Sequence, residues 1–524
     1  MRKNAHVLEK NACFHCCPST SAPGGAAAVS RRTFLKGMGA TAIGGIALGG
    51  LSWPSLSDVG VEEEVGLRRL PLKVKPVLVY STPLRKPQTS WRNWGGIETQ
   101  RDAEEEVARI RGELDKLRTG ADFPVEFLPV SGVRSVNDVS SVTDIASADT
   151  LLVYAAGGWM DIFDGLAAAG KDMVFFCRHQ SGPVYLWYEI ISPRYLRRHT
   201  DSLALKNVND DDVVIDSPEE ILWRLRALAG LRNTLGTRII AVGGPSAWAQ
   251  PKGVVPKLVE EKWKFDIRTI SYEELGKLIK DARSDREAVK KARARANEYL
   301  GRPGTTLETE RVFVENAFLL DRVFRSLLKQ TTCRAITING CMGTIMPLAE
   351  TSACLTLSLL NDDGYLAFCE SDFVVIPSGI LLANISGRPV FLNDPTYPHD
   401  GVITNAHCTA PRRMDGRNPE PARIMTHFES DYGAAPKVEM SKGQIVTNII
   451  PDFEAKRWVG LRGRIIDAPF LPICRSQIDI SFDCDSQTLA KHMPGFHWMT
   501  CYGDFRREVG YALRRVGIAW ENLG

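Results

Sequence analysis

From residue 71 onward, short unbroken apolar runs alternate with longer segments whose apolar positions fall three and four apart. A parallel sheet covered by helices needs this alternation, because its strands are buried on both faces while each helix buries one stripe. Pro76-Val77-Leu78-Val79-Tyr80 predicts the first strand, and Val107, Ile110, Leu114 and Leu117 mark one helical face. Further strands are predicted at 125–130, 151–154 and 173–177, and helical patterning over 218–228 closes a first α/β domain spanning 71–234. A second alternation, 235–394, starts with a strand running into Gly243-Gly244 and continues with strands at 265–270, 335–338, 365–369 and 390–393. Gly243-Gly244-Pro245 lacks the spacing of a phosphate-binding loop and predicts a tight turn. From 395 to 524 the pattern changes to short strands separated by Gly and Pro turns, with a closing helix around 505–516. The expected fold class is therefore α/β: two Rossmann- or flavodoxin-like parallel-sheet domains followed by a β-rich C-terminal domain.

Candidate chemistry concentrates late in the second alternation. Predicted strands at 365–369 and 389–393 flank an apolar helix over 372–386, and each strand runs into an acid, Glu370 and Asp394. If this is a right-handed strand-helix-strand crossover, the two strands lie side by side and both acids open at one sheet edge. Two carboxylates there can hold a hard divalent cation, move a proton, or do both. Taken alone, such a pair serves equally well as strand-end caps or ion-pair partners.

The flanking residues tip that balance. The blocks Cys341 with Pro347, Ala353-Cys354-Leu355, Ser358-Leu359-Leu360-Asn361-Asp362, Gly364, Cys369-Glu370, Asp394 and His407-Cys408-Thr409 resemble the L-fucose isomerase and L-arabinose isomerase superfamily, in its fucose-isomerase-like branch. His497-Trp498-Met499-Thr500-Cys501-Tyr502-Gly503-Asp504 resembles that family's terminal histidine block. The likeness is strongest over 340–411 and weak before 235. It implies a metal-dependent aldose-ketose isomerase of a pentose, deoxyhexose or related sugar. It further implies that Glu370, Asp394 and His497 bind Mn²⁺, or Mg²⁺ or another divalent cation, with Glu370 and Asp394 as the acid/base pair. Many relatives carry Gly where this chain has Ser371. Two other outcomes keep the same residues: an exported sugar-binding protein without turnover, and a related metal-dependent epimerase or lyase.

Neighbouring candidates are weaker. His407 and Cys408 read as support for Asp394 or as pocket lining, and His427 with Glu429 and Asp431 reads as a surface strand or turn. His492 is separated from His497 by Pro494-Gly495, which prevents a shared helical face. Arg85, Trp91, Arg92 and Trp94 are of the residue types that stack on sugars, and suit contacts across a subunit boundary of a homo-oligomer.

Composition changes the picture in two places. With 65 basic and 62 acidic residues the net charge is +3, so there is no global electrostatic case for nucleic acid or an anionic surface. At the N-terminus, Ser30-Arg31-Arg32-Thr33-Phe34-Leu35-Lys36 precedes a Gly/Ala-rich apolar stretch, the pattern of a twin-arginine export signal within a leader at 1–58. Export by the Tat machinery to the periplasm, or signal-anchored beyond the cytoplasm, is expected. That route carries folded proteins, so metal loading can precede export and the twelve cysteines need not form a disulfide framework. Cys13, Cys16 and Cys17 precede the signal motif and stand outside the predicted fold.

Overall fold

The computed structural model describes residues 69–158, 160–185 and 208–524. The predicted leader, with Arg31, Arg32 and the Cys13, Cys16 and Cys17 cluster, lies outside them. Strands β1 (Leu72–Val79), β2 (Val125–Phe127), β3 (Ser131–Val133), β4 (Thr150–Ala155), β5 (Asp172–Cys177) and β6 (Val213–Ile215) form a wholly parallel sheet in the order β2-β1-β4-β5-β6, with β3 also on β1. The predicted helical stripe lies on Gln100–Gly120, where Ile110, Leu114 and Leu117 are buried and Thr99 and Asp102 make a reciprocal capping box. A second parallel sheet contains β7 (Arg238–Val242), β8 (Asp266–Ile270), β10 (Ala335–Ile338) and β11 (Leu366–Phe368), in the order β11-β10-β7-β8. Gly243 and Gly244 both have positive φ, and a Cβ at Gly243 would collide with the Tyr272 ring, so the tight turn is sterically required.

The intervening β9 (Thr305–Glu308) leaves the second sheet and pairs with β14, described below. Strands β12 (Phe391–Pro395) and β13 (Val402–His407) open the β-rich part, followed by β14 (Ala422–His427), β15 (Tyr432–Val438), β16 (Ile445–Pro451), β17 (Arg457–Asp467), β18 (Ser476–Ser481), β19 (Trp498–Tyr502) and β20 (Ala519–Leu523). The order β16-β19-β12-β13-β18-β17, with β16 also on β17, closes a mainly antiparallel barrel, and β20 adds parallel to β17. A small sheet β15-β14-β9 stands beside it.

Two sequence expectations are corrected here. The strand carrying Asp394 does not lie beside β11 in a strand-helix-strand unit: β12 is paired antiparallel on both sides, with β13 and β19, and belongs to the barrel. The boundary at 394 therefore places Asp394 in the wrong layer. An apolar run specifies burial but not the direction of its partner, and here the partner β19 lies about a hundred residues downstream. The chain also continues beyond its last helix, Arg506–Arg515, into β20.

The helix between the two acids, Ile376–Ser386, ties the layers together. All but its final residue, Ser386, are buried. Gly379 lets it pass between Phe368 of β11 and Met499 of β19, where a Cβ would come within 2.7 Å of both side chains. On another face it crosses the helix Pro218–Thr234 at Gly230, directly over Ile385. The last helix docks back on the first layer: Tyr511 Oη donates to Asp212 at 2.7 Å, Arg515 pairs with Asp212 and Asp172, each at 2.7 Å, and Arg226 meets Glu508 at 3.0 Å.

Candidate metal centre

Glu370 follows β11 in the left-handed region (φ 65°), and Ser371 follows it there too (φ 47°). Two successive non-glycine residues in this region are strained, and such strain persists only where surrounding contacts hold it. The Ser371 N–H donates to Thr337 Oγ1 at 3.1 Å, and its carbonyl accepts the Ser246 N–H at 3.0 Å. The bend turns Cys369 and Glu370 into the same cavity, whereas successive residues of a regular strand point to opposite faces. The motif residues upstream brace this corner. Asn361 makes both backbone hydrogen bonds of Ala367, Ser358 Oγ donates to Ala410 O at 2.7 Å, and Asp362 Oδ1 accepts the Arg413 N–H at 2.7 Å.

Asp394 and His497 meet through antiparallel register. Phe391 faces Thr500, Leu392 faces Met499 and Asn393 faces Trp498, so the next step sets Asp394 opposite His497. His497 Nε2 lies 3.0 Å from Asp394 Oδ1 and 3.3 Å from Glu370 Oε2. All three predicted ligands are thus brought together, although not by the crossover that the sequence suggested. On its other side, His497 Nδ1 is 2.6 Å from Asp372 Oδ2, and both residues are buried. Asp372 therefore holds the ring with Nε2 facing the two acids, a carboxylate-imidazole arrangement common behind metal ligands. Sequence reasoning gave Asp372 no role, and nothing in its position two residues after Glu370 signals one.

Asp394 Oδ1 and His497 Nε2 are close, yet both are buried without a hydrogen bond in line. Buried polar atoms left this way are rare and call for an explanation. Neighbouring ligands of an octahedral cation, each about 2.1 Å from it, sit roughly 3 Å apart, which matches the spacings of His497 Nε2 to Asp394 and Glu370. The donor set, two carboxylates and one imidazole, suits a hard to borderline divalent ion. Burial disfavours charge on His497, but the Asp394 and Asp372 carboxylates outweigh it and hold its basicity well above the usual histidine range. Burial likewise opposes charge on Glu370, but the His407 and His497 imidazoles beside it outweigh burial and bring its carboxyl down to about 2.

His407 does not support Asp394. Its Nε2 lies 3.7 Å from Glu370 Oε1 and its Nδ1 is 3.1 Å from Thr409 Oγ1. Glu370 thus shows one oxygen to each imidazole. Cys408, Cys341, Cys354, Cys369 and Cys474 line the same cavity of about 260 Å³, together with Glu370, His407, Trp248 and Lys252. His427 also lines it, so the surface reading is corrected for this residue: it is buried, and Ser430 Oγ lies 3.0 Å from its Nδ1 as the β14–β15 turn folds over the site. Glu429, within the same turn, lines an adjoining cavity of about 270 Å³ with Asp394, Tyr397 and Phe496. Asp431 is exposed. Trp248 and Phe496 stack at 4.1 Å and each meets the His497 ring edge to face. The Trp248 Nε1–H at this wall is a buried donor with no hydrogen-bond partner.

The remaining candidates lie elsewhere. His492 ends a helix, bonded to Thr488 O at 2.7 Å and near Glu521. Arg85, Trp91, Arg92 and Trp94 line neither cavity, and Trp94 is 65% exposed.

No family model matches this chain, and no curated protein matches it. Among solved structures it is similar to a carbohydrate transporter from Acidothermus cellulolyticus 11B, determined in complex with myo-inositol, with 13% sequence identity covering 61% of this chain and 88% of that one, at a TM-score of 0.15. A score that low carries no argument about fold or ligand.

Proposed function

We propose that the chain is a divalent-cation-dependent aldose-ketose isomerase of the fucose-isomerase-like kind, acting on a pentose, deoxyhexose or related sugar. The observation that carries this reading is the meeting of Glu370, Asp394 and His497 at cation-ligand spacing, with His497 oriented from behind by Asp372. The flavodoxin-like character expected of the two parallel sheets belongs to the same reading. A bound Mn²⁺ or Mg²⁺ would supply Lewis-acid polarisation of the sugar's neighbouring oxygens. On this reading one of Glu370 and Asp394 takes the C2 proton and the other returns a proton at C1, a transfer that depends first on hydrogen-bond reach. The Trp248–Phe496 stack provides a flat wall for the sugar's apolar face, and the Trp248 Nε1–H a donor for a hydroxyl. A sugar binder without turnover has no need of a proton-transfer pair, and the presence of both acids favours turnover.

The test is incubation of Mn²⁺-loaded protein with a panel of aldoses in D₂O. Deuterium at C1 of the ketose formed, and at C2 of the aldose recovered, is the expected result. Sugar binding without exchange makes the chain a binder, and exchange that yields only an epimer or an elimination product makes it the epimerase or lyase alternative. A homo-oligomer and twin-arginine export complete the proposal. Replacing both Arg31 and Arg32 by Lys should retain the protein in the cytoplasm, and unchanged export of that variant, followed by fractionation and immunoblot, would remove the export claim.

A further inference from the structure

Glu370 has two oxygens and two different imidazoles facing them. Oε2 lies 3.3 Å from His497 Nε2, in the cluster described above, whereas Oε1 lies 3.7 Å from His407 Nε2 on the other side. A Cys369 Sγ, a Glu370 carboxylate oxygen and a His407 ring nitrogen lie within 4.8 Å of one another. His407 is 3% exposed, and its Nε2 is buried without a hydrogen-bond partner, while Thr409 Oγ1 occupies Nδ1. The ring is therefore held by one nitrogen with the other aimed at Glu370. The left-handed bend at Glu370 is what brings the Cys369 thiol onto this side.

We propose that Cys369, Glu370 and His407 form a second cation site, with Glu370 bridging it to the site formed by Glu370, Asp394 and His497. Tetrahedral oxygen and nitrogen ligands at about 2.0–2.2 Å from a shared ion stand roughly 3.3–3.6 Å apart, and the 3.7 Å between Glu370 Oε1 and His407 Nε2 stands just above that range. The donors differ in kind between the two ends. Two carboxylates and an imidazole favour Mn²⁺ or Mg²⁺, whereas thiolate, imidazole and carboxylate favour Zn²⁺, Fe²⁺ or Co²⁺. The cavity floor is soft as well, since Cys341, Cys354, Cys408 and Cys474 line it beside Cys369. Two cations also suit the local charge: Glu370, Asp372 and Asp394 gather here with few basic groups, of which Lys252 lines the cavity. The inference rests on Glu370 being a cation ligand but not on the sugar reaction.

The test is titration of the full, reduced, metal-stripped chain with Co²⁺, without sugar. Bound ion is counted by equilibrium dialysis with elemental analysis, and thiolate ligation is followed by its near-ultraviolet charge-transfer band. Two equivalents with a thiolate band are expected for wild type. Cys369→Ser should lose the band and fall to one equivalent, with its melting temperature monitoring the fold, and His407→Ala should weaken the second equivalent by 10-fold or more while sparing the first. One equivalent in wild type, with or without the band, overturns the two-ion centre, and a band that survives Cys369→Ser overturns the assignment of the thiol. Absence of any bound ion overturns this inference and the metal reading of the proposed function together. Two equivalents without C2 exchange on any sugar leave the second site standing and remove only the isomerase reading.

Discussion

Replacing Asp372 by Asn tests the electrostatic design behind His497. Asp372 uses both oxygens: Oδ2 meets His497 Nδ1 at 2.6 Å and Oδ1 accepts the Val374 N–H at 3.0 Å. An Asn of the same shape has only one acceptor oxygen. If that oxygen keeps Val374, the amide NH₂ faces the imidazole and selects the tautomer protonated on Nε2, which cannot bind a cation. If it keeps His497, the NH₂ opposes the Val374 N–H and the carboxylate charge is lost in either case. A charge-assisted hydrogen bond between buried groups contributes about 1.5–3 kcal/mol. At 1.4 kcal/mol for each factor of ten, that corresponds to roughly 10- to 100-fold in cation affinity, the range typical of a lost outer partner of a ligating histidine. Isothermal titration of Mn²⁺ into wild type and Asp372→Asn measures it directly, with a thermal melt of both proteins as control for folding. A dissociation constant within twofold of wild type, in a folded variant, would refute the claim that Asp372 orients a cation ligand.

Glu370→Gln and Asp394→Asn preserve size, and each should lower turnover by ~10²-fold or more with saturating metal, measured as C2 exchange; wild-type rates in both variants would show that the acid/base pair lies elsewhere. Gly230→Ala should destabilise the fold by about 1–3 kcal/mol, read in a urea melt, because the new methyl meets Ile385, whose Cα would lie 3.0 Å away, at the crossing of two packed helices. Asp362 offers a pH test away from the metal centre. Burial pushes its carboxyl up to about 7 from an ordinary 3.8, so the folded state holds the proton more tightly than the unfolded one. Stability linked to it is lost as pH rises from about 4 to about 7, by roughly 2–4 kcal/mol, since the group is only half-buried. Asp362→Asn keeps the acceptor for the Arg413 N–H and should melt higher than wild type at pH 8, with the gap closing towards pH 4; an equal gap at both pH values would contradict this account.

What was legible along the chain is what local pattern governs. Burial on both faces marked β1, β4, β5, β7 and β10 within a residue or a few, because a parallel strand must be apolar throughout, and the 3-4 spacing of Ile110, Leu114 and Leu117 marked a helix because only that period stacks them. The sequence also singled out Glu370, Asp394 and His497, through flanking motifs whose residues prove to brace the site: Ser358, Asn361 and Asp362 pin the loops on either side of it. How those residues meet is set by long-range packing. Whether β12 pairs with nearby β11 or with β19, about a hundred residues downstream, is a choice between two buried apolar strands that no local period encodes. The antiparallel choice sets Asp394 opposite His497, and the left-handed turn at Glu370 and Ser371 rotates Cys369 and Glu370 into one cavity. Asp372 behind His497, His427 folded inward and five cysteines lining one cavity follow from that packing, because side-chain convergence across sheets depends on where layers cross and not on spacing along the chain.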